Sequence, residues 1–181
     1  MPCQIGLLTC LGGLVVISCS NTGLALNLEL CHFPLGMENG SIPDQDLSAS
    51  SSFDEKNVGP KSARIRSEIL GGAWCPKLVI GEGVEEWIQV SFSQGDIRTI
   101  TAVETQGRFG NGQGREFSPG YQIRYWRPGF KEWREYRDQH GKKIFPGNQN
   151  TYLSRVNFLS PPIAARKIRL FPMSPSPRTV C

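Results

Sequence analysis

The ten residues Gly107-Arg108-Phe109-Gly110-Asn111-Gly112-Gln113-Gly114-Arg115-Glu116 have the most unusual make-up in the chain. A glycine-rich loop can cradle phosphate, but the spacing here is wrong for G-x-G-x-x-G. Counted from Gly110, the last position is Arg115. G-K-[ST] is absent, and no helix is expected to follow. What remains is charge pairing between Arg108 and Glu116, which bracket the loop. If the ends meet as in a hairpin, these side chains form a salt bridge. An exposed pair of this kind is worth only ~0–1 kcal/mol, so its value lies in shaping a recognition surface.

Other chemistry is poorly provided for. Only His32 and His140 are present, which excludes a His-rich metal site. Serines are plentiful, but neither histidine sits in a catalytic motif, so no nucleophile, base and orienting acid can be assembled. Glu85-Glu86 has no EF-hand spacing around it. No metal or other cofactor is expected. Arg124, Arg127, Lys131, Arg134 and Arg137 alternate with Trp126, Trp133 and Tyr136. Nucleic-acid proteins look like this, but in a chain bound for export the stretch reads as the wet face of a hairpin with cation–π contacts. Nucleic acid is not an expected partner.

The elements that must carry these residues are strands. The 181 residues include 20 Gly and 13 Pro, which favour turns over long helices, and 39% are hydrophobic, as in a folded domain. Trp87, Gln89 and Ser91 alternate with Ile88, Val90 and Phe92, the period of a strand. Residues 97–105 are rich in β-branched side chains, and residues 121–126 alternate again. Pro128-Gly129 supplies a turn, after which residues 131–136 return as a hairpin partner. Residues 152–159 and 164–171 form two further strands, separated by Pro161-Pro162. Trp74, Trp87, Tyr121, Tyr125 and Phe158 are expected to anchor the core. Strands at this spacing predict an all-β sandwich or barrel with almost no helix.

Charge is unevenly spread. Residues 29–60 carry six acids against one Lys, and residues 117–181 carry twelve Lys and Arg against three acids, within a net charge of +4. The basic half suits an acidic partner, a sulfated polysaccharide or phospholipid head groups. The first 28 residues carry no charge, and residues 5–17 are a largely apolar run. This predicts a secretory signal peptide over residues 1–25, cut after Ala25, with Ser18-Cys19-Ser20 as a second possible cleavage position. Residues 26–181 are then a single domain. They hold Cys31, Cys75 and Cys181, an odd number that leaves a free thiol, an interchain pair or a shortened sequence open. Asn39-Gly40-Ser41 is an N-glycosylation sequon, usable on an exported chain.

Several segments in order resemble a discoidin (F5/8 type C) domain: residues 59–64, Gly71-Gly72-Ala73-Trp74-Cys75, Trp87-Ile88-Gln89-Val90, Thr105-Gln106-Gly107-Arg108 and Tyr121-Gln122-Ile123-Arg124-Tyr125. Within that superfamily the chain most resembles the discoidin domain receptors, through Leu35-Gly36-Met37-Glu38, Ile42-Pro43-Asp44, residues 48–52, Gly72-Ala73-Trp74-Cys75-Pro76, Glu116-Phe117, Gly147-Asn148 and residues 161–166. The resemblance implies a jelly-roll-like β-sandwich of about eight strands. Loops at one end would form a trench for fibrillar, triple-helical collagen.

It implies a disulfide from Cys75 to Cys181, and a partner for Cys31 just past the end of this chain, after one more strand; on that reading the sequence is truncated. In the trench, Arg108 and Glu116 match the family's ion pair, Phe53 stands for its tryptophan without the indole N–H, Asn57 stands for its nearby threonine, and Gly71 replaces an aspartate. The resemblance further implies a secreted or cell-surface setting. The kinase, the membrane attachment and any receptor dimer would reside in a full-length receptor, so this chain is not itself an enzyme. A discoidin-type lectin, a phospholipid- or glycosaminoglycan-binding adhesion module and a non-functional truncation product are the other readings.

Overall fold

The structure, a computed structural model, describes residues 33–92 and 96–181. The predicted signal peptide and Cys31 lie outside the described residues. Among the described residues eight strands form two antiparallel sheets. They are β1 (Leu47–Ala49), β2 (Ile88–Ser91), β3 (Arg98–Thr105), β4 (Gly120–Trp126), β5 (Arg134–Glu135), β6 (Phe145–Pro146), β7 (Arg155–Ala165) and β8 (Lys167–Met173). The larger sheet runs β1-β2-β8-β4-β5, with β6 also on β4; the smaller pairs β3 with β7. The single α-helix among the described residues, α1 (Glu55–Val58), is one turn.

Period-two patterning explains how the sheets close on each other. Ile123 and Ile168 point inward from the larger sheet, and Ile100, Val103, Leu159, Ile163 and Ala165 point inward from the smaller. Val90, Leu170 and Tyr125 pack against this core. Tyr121 is buried against Phe145, and Asn157 donates to its hydroxyl at 2.9 Å. Burial therefore pushes the Tyr121 phenol up to about 12, against the relief that Asn157 gives.

Three expectations are corrected. Pro161-Pro162 does not separate two strands: β7 runs through it. The register jumps from Ile100–Ile163 to Ala102–Phe158, so the prolines occupy a bulge where no ladder N–H is needed. Of the predicted 131–136 strand, residues 134 and 135 pair with β4 and the Tyr136 N–H donates to the Ile123 carbonyl at 2.8 Å, while residues 131–133 do not join the ladder. Phe158 and Trp87 are not core anchors. Phe158 alternates with buried Leu159 and is 66% exposed on the outer face of β7. Trp87 is half-buried outside the larger sheet, where the Arg169 guanidinium stacks 3.8 Å from its ring centre and 4.1 Å from that of Trp133. The outer face is not merely wet either, because Arg124 covers buried Phe171 at 4.3 Å. Cation–aromatic stacking, not interior packing, claims these rings.

The segment before β1 is held by Arg64. Its guanidinium donates to the Met37 carbonyl at 2.9 Å and the Ile42 carbonyl at 3.0 Å, and pairs with Asp44. Arg64→Ala leaves two carbonyls without their donors. A loss of about 2–3 kcal/mol is expected, measured as a shift in the urea unfolding midpoint.

Candidate functional site

The loops at one end of the sandwich are tied together through backbone groups. A serine run positions the first. Ser51 Oγ donates to Glu86 at 2.8 Å and accepts from the Lys77 N–H at 2.9 Å, while the Trp74 indole N–H donates to the Ser51 carbonyl at 2.9 Å. Ser50 Oγ also donates to Glu86 and accepts the Trp87 N–H at 2.8 Å. Glu86 is thus a buried clamp, whereas Glu85 turns outward to pair with Arg124 at 2.6 Å. The two adjacent acids serve opposite faces. Among the described residues no group of three His, Cys, Asp or Glu could hold a metal ion.

This clamp leads directly into Phe53, which is 77% exposed. The Phe53 N–H donates to the Cys75 carbonyl at 2.9 Å. Asp54 then caps α1, accepting from the N–H groups of Lys56 and Asn57. Exposed Asn57 offers its carbonyl to the Gly71 N–H at 2.9 Å. The Gly71 carbonyl in turn accepts from Arg108 Nε at 3.0 Å, and Arg108 Nη1 donates to Glu116 at 3.2 Å. A continuous chain of hydrogen bonds therefore runs from Asn57 through Gly71 and Arg108 to Glu116. Cys75 and Cys181 are joined by a disulfide, with their Cα atoms 4.2 Å apart.

The glycine-rich loop closes as a hairpin-like turn, with the Arg108 N–H donating to the Glu116 carbonyl at 2.9 Å. Gly114 permits this, because a Cβ there would stand 1.9 Å from the Arg108 carbonyl oxygen. Arg108 and Glu116 are each about one-third exposed. Burial opposes ionisation of Glu116, but the Arg115 N–H at 3.1 Å and the Arg108 guanidinium outweigh it and hold the carboxyl below its ordinary range.

Sequence reasoning missed two residues at this end. Ile69 and Leu70 are 75% and 56% exposed, on the loop that carries Gly71. Leu70 has φ +58°, a left-handed conformation that is costly for a residue with a Cβ. The loop is pinned from the other side by Glu68, which accepts the Asn111 N–H at 2.8 Å. Nothing in the local pattern marks Ile69-Leu70 as exposed, since an apolar pair ordinarily reads as core. Gly71 itself is filled space. A Cβ would meet Val58 Cγ1 at 2.3 Å and the Asn57 carbonyl at 2.8 Å. Gly71→Asp is therefore expected to cost about 1–3 kcal/mol by overpacking, read as a lower thermal midpoint.

An antiparallel sandwich with loops tied together at one end, presenting exposed apolar and charged groups side by side, has the form of a binding module. The F5/8 type C domain model matches residues 46–180, and the chain belongs to that family. It is 46% identical over 162 residues to discoidin domain-containing receptor tyrosine kinase B of Caenorhabditis elegans, covering 90% of this chain and 20% of that protein. It is 45% identical over 169 residues to discoidin domain-containing receptor A of the same organism, covering 93% of this chain and 22% of that protein. The chain thus spans about a fifth of the length of these curated relatives. Recombinant discoidin II of Dictyostelium discoideum shares the fold, with a TM-score of 0.56 at 21% identity over 71% of this chain and 49% of that one.

The chain is a non-catalytic, extracellular ligand-binding module similar to that of the discoidin domain receptors. Among the described residues no helix is long and apolar enough to cross a membrane.

Proposed function

We propose that this module binds triple-helical collagen as the ectodomain part of a cell-surface receptor of the discoidin type. The observation that carries the reading is the joining of exposed apolar and charged groups on three linked loops. Phe53, Ile69 and Leu70 offer apolar surface, and the Arg108–Glu116 pair is hydrogen-bonded into the same backbone chain. Collagen's triple helix buries its glycines at the axis and presents the X and Y side chains outward. A rigid surface with both apolar and charged groups can hold such a rod without enclosing it. In this reading Phe53 packs against an apolar collagen side chain, while Arg108 and Glu116 pair with polar ones. Asn57 and Gly71 set the spacing of the loops around them. Exposed Asn39, whose Oδ1 accepts the Ser41 N–H at 3.0 Å, is the proposed glycan attachment point, on a different loop.

The test is binding of the secreted chain to triple-helical collagen and to the same collagen after heat denaturation. Binding that requires the triple helix is expected. Equal binding to both forms, or to neither by a cooperatively folded chain, would overturn the reading. The uneven charge favours a second reading, an anionic lipid or polysaccharide ligand. It predicts a steep loss of affinity with salt, since exposed charge–charge attraction is screened within about 10 Å at 0.1 M ionic strength.

A further inference from the structure

The far end of the sandwich carries a second built surface. β4 starts beside the candidate trench, where the Asn148 N–H donates to the Ser118 carbonyl and the Asn148 side chain to that of Thr105. It ends at Trp126, so the β4–β5 hairpin stands at the opposite end from Arg108. Between this hairpin and the proline bulge of β7 lies an open cleft of about 380 Å³. Its walls include Tyr125, Phe130, Pro161 and Pro162, and its charged groups include Arg127 and Arg134.

Both of these guanidiniums stack on Phe130, Arg134 at 3.9 Å and Arg127 at 4.9 Å from the ring centre. Tyr125 meets the same ring edge-on at 5.8 Å. No carboxylate among the described residues forms an ion pair with either arginine. Of the three acids in this stretch, Glu135 pairs with Arg137 at 2.6 Å and Lys143 at 3.8 Å, Asp138 accepts the His140 and Lys142 N–H groups, and Glu132 is exposed to solvent. Residues 124–143 hold seven Lys and Arg against three acids, an excess as large as the net charge of the whole chain. Stacking on a ring fixes a guanidinium in advance and leaves its N–H fork free for an oxyanion.

The geometry points to a sulfated polysaccharide site in this cleft, separate from the collagen-binding surface and not dependent on it. Arg127 and Arg134 would each donate to sulfate oxygens, and the aromatic and proline walls would meet the C–H faces of the sugar rings. A sulfated chain suits the site better than a membrane does. Phe130 and the other residues of the hairpin tip are not among the exposed large hydrophobic side chains, so no apolar prong is offered to a bilayer.

The test is retention of the secreted chain on immobilised heparin at about 0.15 M salt, where exposed charges more than ~8 Å apart are screened. Arg127→Gln/Arg134→Gln is expected to weaken binding about ten-fold or more, as loss of two charge-assisted contacts implies. Lys61→Ala/Lys77→Ala, which removes the same charge elsewhere, is expected to change it less than about three-fold. Phe130→Ala keeps every charge but removes the support, and is expected to weaken binding about three-fold or more. Collagen binding and the thermal midpoint, followed in each variant, separate loss of this site from loss of the fold or of the other site. The proposal is overturned if the wild-type chain is not retained, or if N- and O-desulfated heparin competes as well as heparin. It is equally overturned if both double variants lose affinity alike, if Phe130→Ala has no effect, or if the chain binds phosphatidylserine vesicles but not heparin.

Discussion

Arg108→Ala is expected to abolish collagen binding, lowering affinity by more than about thirty-fold, while leaving the domain folded. The guanidinium joins two recognition loops, through Gly71 on one side and Glu116 on the other. Truncating it removes two hydrogen bonds made by a charged donor, each worth about 1.5–3 kcal/mol where water is excluded, as beneath a bound ligand. In the free domain the same bonds are worth much less, because the pair is about one-third exposed and solvent screens it. The affinity should therefore fall far more than the stability.

Arg108→Lys should behave nearly as badly, since one ammonium cannot reproduce a fork aimed at a carbonyl and a carboxylate together. The pH profile follows from Glu116. Its folded-state carboxyl titrates below the ordinary value of 4.5, so its contribution is complete above that value and is lost as pH falls through the lowered one. Binding should hold from neutrality to about pH 5 and fail in stronger acid. Isothermal titration with a triple-helical peptide checks both results; unchanged affinity in a folded Arg108→Ala variant would remove the ion pair from the site.

The largest stability effect is expected from the disulfide. Cys75 and Cys181 are 106 residues apart in sequence, so their link constrains most of the described chain in the unfolded state. On the chain-entropy account, a loop of that size contributes about 4–5 kcal/mol. That is comparable with the whole net stability of many domains, about 5–15 kcal/mol. Cys75→Ala/Cys181→Ala avoids leaving a buried polar group, because Cys75 is in the interior. Guanidinium unfolding of the variant beside the oxidised wild type should show the midpoint moved strongly downward, or no cooperative transition at all. A difference below about 1 kcal/mol would mean that the bridge closes no loop that matters. The same variant should bind collagen more weakly at temperatures where it still folds, because without the bridge the segment whose Cys75 carbonyl accepts the Phe53 N–H is no longer covalently held.

The two predictions draw on different parts of the chain's information. Alternation at residues 88–92, 121–126 and 166–171 is local, and by itself it determined where these strands run and the all-β class. Arg108 and Glu116 bracket a short glycine-rich run, so their meeting was also legible, because seven intervening residues with three glycines among them can hardly avoid a turn. The Gly71 carbonyl that completes the Arg108 contact lies 37 residues away, and no periodicity announces it. The exposure of Ile69 and Leu70 was equally illegible, since apolar side chains carry no label saying which loop end they crown.

Trp87 and Phe158 show the converse. Their size predicted burial, but the side of a strand on which a ring falls depends on pairing register. The cations that cover Trp87 and Phe171 come from β8 and β4 respectively. Pro161-Pro162 looked like a strand boundary because proline removes a donor. Only the register of β3 against β7 revealed a bulge in which that donor is not required. The sequence alone determined which residues alternate, which are charged and which must turn. The tertiary structure decided which distant carbonyl, ring or carboxylate each of them meets, because those partners are set by long-range packing and not by neighbours along the chain.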